Sequence, residues 1–177
     1  MFKNVNNEEF RKNKYYKIVN SLCGLGGIHH YTLGLNEYNY EKLESIKFGD
    51  GLYFTNIENI FAYIDYGPIL LELSIPENAK VSYEPEQLSI VSEEIPGWCA
   101  NKIFVESMQI LDGSTIMKLI DRGAKVSANN YQLFVWACKY NPEAFSKLIS
   151  RYGKVNIVNR IYQYSGFDKF TPYMLNG

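Results

Sequence analysis

Long hydrophobic runs are missing from this sequence: no apolar stretch reaches the ~18–20 residues that a membrane-spanning helix needs. The opening residues, MFKNVNNEEFRKNKYY, lack the apolar segment of a secretory signal. Charge of either sign is not in excess. The 18 basic and 19 acidic side chains leave a formal net charge of −1, which argues against broad electrostatic binding to nucleic acid or to an anionic membrane. Cysteine and histidine are scarce. Cys23, Cys99 and Cys138 lie far apart, His29 and His30 are the only histidines, and no CxxC or HxxxH spacing occurs, so no metal site is expected. The odd cysteine count and the missing signal point to reduced thiols inside a cell. A Walker lysine loop and a Gly-x-Ser-x-Gly elbow are also lacking.

What is present suffices for a folded core. The chain has 177 residues, 46% of them hydrophobic and 21% charged, which fits one ordinary domain or one domain with a small appendage and excludes wholesale disorder. The 15 tyrosines and 10 phenylalanines, with many Asn, Lys and Ile, are what an AT-rich genome encodes.

The first two-thirds of the chain reads as α+β. Glu8 to Lys14 suits a short helix, and Tyr15 to Val19 has the β-branched and aromatic content of a strand. Gly24, Gly26 and Gly27 mark a turn, after which His30 to Leu33 begins a short strand. Asp50 to Thr55 reads as a turn entering a buried strand. Thr55 and Glu58 have the spacing of a capping box, and Ile57, Ile60, Phe61 and Ile64 form one apolar helical face. Gly67-Pro68 stops that helix. Ile69, Leu71, Leu73 and Ile75 then alternate along a strand that puts Glu72 on its other face. Pro76 to Gly97 reads as loop around a strand at Lys80–Tyr83, and Ile103 to Val105 as a further strand. The expected fold is thus a small mixed-sheet domain over residues 1–111.

Residues 112–177 read as helical. Ser114 to Arg122 places Ile116, Leu119 and Ile120 on one face and ends at Gly123. Tyr131 to Tyr140 is a second helix. Asn141 supplies a cap and Pro142 the first residue of a third, whose apolar face is Phe145, Leu148, Ile149 and Tyr152. Another helix is expected around Val158–Tyr164. The stretch from Met117 through Gly123-Ala124 to Ser127, followed by Asn130 to Phe145, resembles ankyrin repeats, although the usual Thr-Pro-Leu-His opening is absent. About one and a half repeats are visible, fewer than the roughly three that independent stability requires, so these helices must lean on the α+β unit or on another protein.

Further stretches recur in order along most of the chain: Tyr16 to Asn20, Tyr31-x-x-Gly34-Leu35-Asn36, Gly51 to Asn56, Asp65-Tyr66-Gly67, Leu71-x-Leu73-x-Ile75-Pro76 and Trp98-x-Ala100-Asn101-Lys102-Ile103. Together they resemble a domain that precedes ankyrin arrays in proteins of giant, mimivirus-type DNA viruses. The resemblance implies an intracellular viral protein, in host cytoplasm or virion, that acts through contacts with a viral or host protein or with a second copy of itself. It carries no known activity and implies no cofactor.

A fainter likeness joins Gly51-Leu52-Tyr53-Phe54-Thr55, the helix after it and the strand Ile69 to Leu73. This pattern is similar to the strand, helix and strand of the ADP-ribosyltransferase fold, and His30-Tyr31-Thr32 is similar to its His-Gly-Thr. In that family a histidine and a tyrosine hold NAD, and a glutamate on a late strand stabilises the charge that develops in the transition state. The resemblance implies His30, Tyr53 and Glu106 as the enzyme's candidates, with NAD as cofactor. Here Tyr31 replaces the glycine, and the late strand Ala100–Val105 has no carboxylate at its start, Glu106 coming only at its end. The expectation is therefore inheritance of the fold without its chemistry.

Each candidate also has a plain structural reading. His29 and His30 suit a polar surface pair, Tyr53 a core tyrosine, Glu93-Glu94 a solvated loop and Trp136 core packing. The strongest expectation for a contact surface is the segment bearing Ile157, Ile161, Tyr162 and Tyr164, rich in apolar and aromatic side chains where an ankyrin stack ends in a polar cap. The alternative is that this segment folds back as the cap itself.

Overall fold

The computed structural model describes residues 8–20, 30–38, 51–83 and 97–165, with side chains as far as residue 160. The glycine cluster at Gly24, Gly26 and Gly27, His29, and Glu93-Glu94 lie outside the described residues, as do the side chains of Ile161, Tyr162 and Tyr164.

Elements α1 (Glu8–Lys12), β1 (Tyr15–Val19), β2 (Gly34–Glu37) and β3 (Leu52–Phe54) lead into a 3-10 helix, Ile57–Tyr66. Strands β4 (Ile69–Ser74), β5 (Val81–Tyr83), β6 (Trp98–Ala100) and β7 (Lys102–Ile110) follow. Helices α2 (Gly113–Asp121), α3 (Ala128–Tyr140), α4 (Pro142–Tyr152) and α5 (Lys154–Ser165) complete the described chain. The strands form two antiparallel sheets, ordered β1-β4-β7-β2 and β3-β6-β5.

Period-two alternation splits the apolar side chains between two cores. Tyr15, Val19, Leu71, Leu73, Ile103 and Val105 of the larger sheet meet Leu52, Phe54, Val81 and Ala100 of the smaller one. On the larger sheet's opposite face, Tyr16, Ile18 and Leu70 join Ile60, Phe61 and Ile64 of the 3-10 helix and the buried side chains of α2 to α5. The boundary drawn at residue 111 therefore does not divide the apolar core. A reciprocal pair of backbone hydrogen bonds, Tyr16 N to Thr55 O at 2.8 Å and Thr55 N to Tyr16 O at 2.9 Å, stitches the edge of one sheet to the other.

That stitch corrects the expected capping box. Thr55 is held extended by Tyr16, so the cap falls one residue later, where the Asn56 side chain accepts from Asn59 N at 3.2 Å. The apolar face at Ile57, Ile60, Phe61 and Ile64 is as expected, on a 3-10 rather than an α-helix. The late strand is corrected too. It breaks at Asn101, and its two halves join different sheets. Asn101 Oδ1 accepts from Lys80 N at 2.7 Å and Asn101 O from Tyr38 N at 2.8 Å, so this residue serves neighbours on both sides of the switch. Strand β2 begins at Gly34, whereas His30 makes only an isolated bridge.

The helical half starts at Asp112, whose carboxylate accepts from Thr115 N at 2.7 Å. That hydrogen bond holds the Asp112 carboxyl below its ordinary pKa. A depressed folded-state pKa contributes stability above the unfolded value of about 4, and that stability is lost as pH falls through the folded value. Replacing Asp112 with Ala should cost about 1 kcal/mol at neutral pH. Denaturant melts should show that gap narrowing below about pH 4 and closing as pH falls further and the wild-type carboxylate takes up its proton; an equal gap at about pH 7 and about pH 2 would contradict this account.

At the start of α3 the chain makes a left-handed kink through Asn129, Asn130 and Tyr131, with φ of 46°, 56° and 60°. Asparagine tolerates this region, and Tyr131 is held there by its stack on Phe134 at 5.7 Å and by the Arg160 guanidinium 5.0 Å over its ring. Asn141 and Pro142 start α4 as the sequence predicts, with Asn141 Oδ1 accepting from Ala144 N at 3.0 Å.

Candidate functional site

The residues singled out in the sequence do not gather in one place. His30 is exposed and makes only an isolated bridge, but its neighbour Tyr31 is buried between the sheets. Lys17 Nζ lies 5.5 Å over the Tyr31 ring and donates to the Tyr53 carbonyl at 2.8 Å, so the His30 segment and β3 are neighbours. Burial and the nearby Cys99 push the Tyr31 phenol above its ordinary pKa. Tyr53 is half-buried. Leu52 and Phe54 on either side point into the core between the sheets, which turns the Tyr53 side chain to the outer face of the smaller sheet.

Glu106 sits elsewhere. Val105 beside it faces the inter-sheet core, and Glu106 falls at an irregularity in the β4–β7 ladder, where Leu73 pairs with Val105 and Glu72 with Ser107. Its carboxylate is ion-paired with Lys14. The Lys14 hydrogen bond, aided by Ser74, holds the Glu106 carboxyl below its ordinary pKa. Glu106 and Tyr53 thus occupy the outer faces of two different sheets, and the carboxylate that is a candidate only if the protein is an enzyme is paired with a lysine.

Ile157 requires a correction. It is fully buried in the helical core with Leu133, Ala144 and Leu148, so it is a core residue and not an exposed contact. The first turns of α5 fold back over α3 and α4, because Gly153 ends α4 with φ 83° and lets the chain reverse.

Sequence reading missed the polar strip on the helix-facing side of the larger sheet. Arg122, at the end of α2, donates to Glu72 Oε2 at 2.9 Å and to the Tyr16 hydroxyl at 2.5 Å, with its guanidinium 5.4 Å over the Tyr16 ring. The hydrogen bond to Glu72 raises the Arg122 pKa; burial, then the Glu72 carboxylate, raises that of the Tyr16 phenol. Lys14 and Glu106 extend the strip along the same face. These partners are 50 to 106 residues apart in the chain, so no local spacing announces them.

A second surface lies at the far edge of the same sheet. Leu35 on β2 is directly opposite Phe104 on β7 and both are exposed, at 52% and 44%, as is Leu33 at 66%. Among the described residues, β2 is paired on one side only. Glu37, the one charged residue of β2, is neutralised within the chain by Lys102 at 2.6 Å. Alternation offered a signal for this surface: with Ile103 and Val105 facing inward, Phe104 must face outward.

Among the described residues no group of acidic, histidine and cysteine side chains is placed to hold a metal ion, and no helix is long and apolar enough to cross a membrane. No protein-family model, no curated protein and no solved structure matches this chain.

Proposed function

We propose that the protein is a non-enzymatic interaction module of a large DNA virus, engaging a viral or host protein. The partner adds an extended segment to β2. In this reading the paired sheets are an ADP-ribosyltransferase-like scaffold without its chemistry, and α2 to α5 are an ankyrin-like helical cap.

The observation that supports it is the exposed Leu33, Leu35 and Phe104 surface beside a strand edge. Natural edge strands are blunted by shortness, charge, proline or a bulge; Gly34–Glu37 is short, but it carries no lysine, proline or bulge, and its one charge is paired with Lys102. An added strand would gain backbone hydrogen bonds, and its alternate side chains would cover Leu35 and Phe104. The NAD-dependent reading needs His30, Tyr53 and a carboxylate around one cleft, and the pairing of Glu106 with Lys14 counts against it.

Selection from a displayed library of short segments should enrich sequences with apolar residues at alternate positions. Leu35→Lys and Phe104→Lys should each weaken the enriched peptides about ten-fold or more, equivalent to ~1.4 kcal/mol, with little change in melting temperature. Peptides indifferent to both substitutions, or no enrichment at all, would defeat the reading.

A further inference from the structure

We propose that the cleft between α1, the start of the 3-10 helix and the end of α2 binds a small aromatic anion: a planar ring carrying a phosphate or carboxylate. The cleft encloses about 440 Å³, enough for a ligand of that size. One wall is aromatic. Phe10 and Trp98, with ring centroids 5.6 Å apart, and Tyr15 line it together. Another wall is cationic, formed by Lys14 and Arg122.

The placement of the counter-charges decides the sign of the ligand. Glu106 and Glu72, which pair with Lys14 and Arg122, do not line the cleft. They sit on the sheet beneath, with side chains 29% and 18% exposed against 45% and 47% for the cations. The carboxylates therefore hold the cations from behind, and the cations face the opening. Among the described residues Glu58 is the one carboxylate that lines the cleft, and it is drawn to Lys125 at 2.5 Å. Arg122 uses two of its five N–H donors on Glu72 and Tyr16, which leaves donors for a fork-like grip on an oxyanion. The aromatic wall offers apolar area at low entropic cost, favouring a ligand whose charged group is attached to a ring.

Trp98 lines the cleft and reports on it. The other tryptophan, Trp136, is buried in the helical core and is replaced by Phe in the test protein. Phenyl phosphate should change Trp98 fluorescence saturably and bind about ten-fold more tightly than inorganic phosphate, which lacks the ring, or benzyl alcohol, which lacks the charge. Arg122→Lys keeps a cation for Glu72 but loses the planar fork, and should weaken phenyl phosphate by about ten-fold. Lys14→Gln should also weaken it, and added salt should weaken it further. A cooperative melt of each variant shows that it is folded. No saturable signal up to about 10 mM, a range in which even weak mM sites fill, would overturn the proposal. So would equal affinity for benzyl alcohol, or folded Arg122→Lys and Lys14→Gln proteins that bind like the parent.

Discussion

A fragment spanning residues 112–165 should be largely unfolded on its own, with no cooperative thermal transition by circular dichroism. Leu133, Phe134 and Ala137 of α3 lie in one core with Ile60, Phe61 and Ile64 of the 3-10 helix and with Tyr16 and Ile18 of β1. Cutting the chain at 112 exposes that face, and each large apolar side chain uncovered forfeits about 1.5–3 kcal/mol of burial. The same cut removes the hydrogen bonds from Lys125 N to Glu58 O at 3.0 Å and from Asn141 Nδ2 to Leu111 O at 3.2 Å, with the Arg122 contacts to Glu72 and Tyr16. Whole domains are stable by only about 5–15 kcal/mol, so these losses exceed what the fragment could hold in reserve. A sharp melt from a monomeric fragment would show that the helices carry their own core. It would also undo the reading of them as a cap that leans on the sheets.

The sequence made some of this plain and hid the rest for identifiable reasons. Local signals worked where local chemistry decides. Asn141-Pro142 starts α4 because the asparagine side chain and the proline ring both suit a helix beginning. The i, i+3, i+4, i+7 face of Ile57, Ile60, Phe61 and Ile64 is buried because nothing competes with that periodicity. Signals failed where a distant partner takes over. Thr55 would cap a helix in isolation, but both its backbone groups are claimed by Tyr16. Ala100 to Val105 has the composition of one strand, yet Asn101 diverts it between sheets. The site was less legible still. Glu106 is defined by Lys14, and Arg122 by Glu72 and Tyr16, pairs that only the folded chain brings together. Ile157 was expected at a surface because its segment looks apolar, and that composition is equally what a helix needs to fold back as its own lid.

Gly67→Ala should be among the most damaging single substitutions in the protein, costing about 3 kcal/mol or more and lowering the melting temperature by roughly 10 °C. The sequence marks Gly67-Pro68 only as the end of a helix, and the structure adds a second demand. Gly67 has φ 152°, a conformation that side-chain-bearing residues rarely adopt. A Cβ there would lie 2.1 Å from Asn20 Cα and 2.3 Å from both Asn20 N and Val19 O. All three are backbone atoms at the end of β1, so no side chain can swing aside to make room. Relief would have to come from parting β1 from β4 where Val19 pairs with Ile69, and that strand pair separates the two cores. Gly123→Ala is the matched control. Its φ of 106° also disfavours alanine, but nothing lies within 4 Å of the added carbon, so it should cost only the conformational penalty of about 1–2 kcal/mol. The difference between the two variants isolates the steric term. Equal melting temperatures for Gly67→Ala and Gly123→Ala would mean that the end of β1 yields freely. The close approach of the helix terminus to that strand would then not be what fixes the sheet against the helical core.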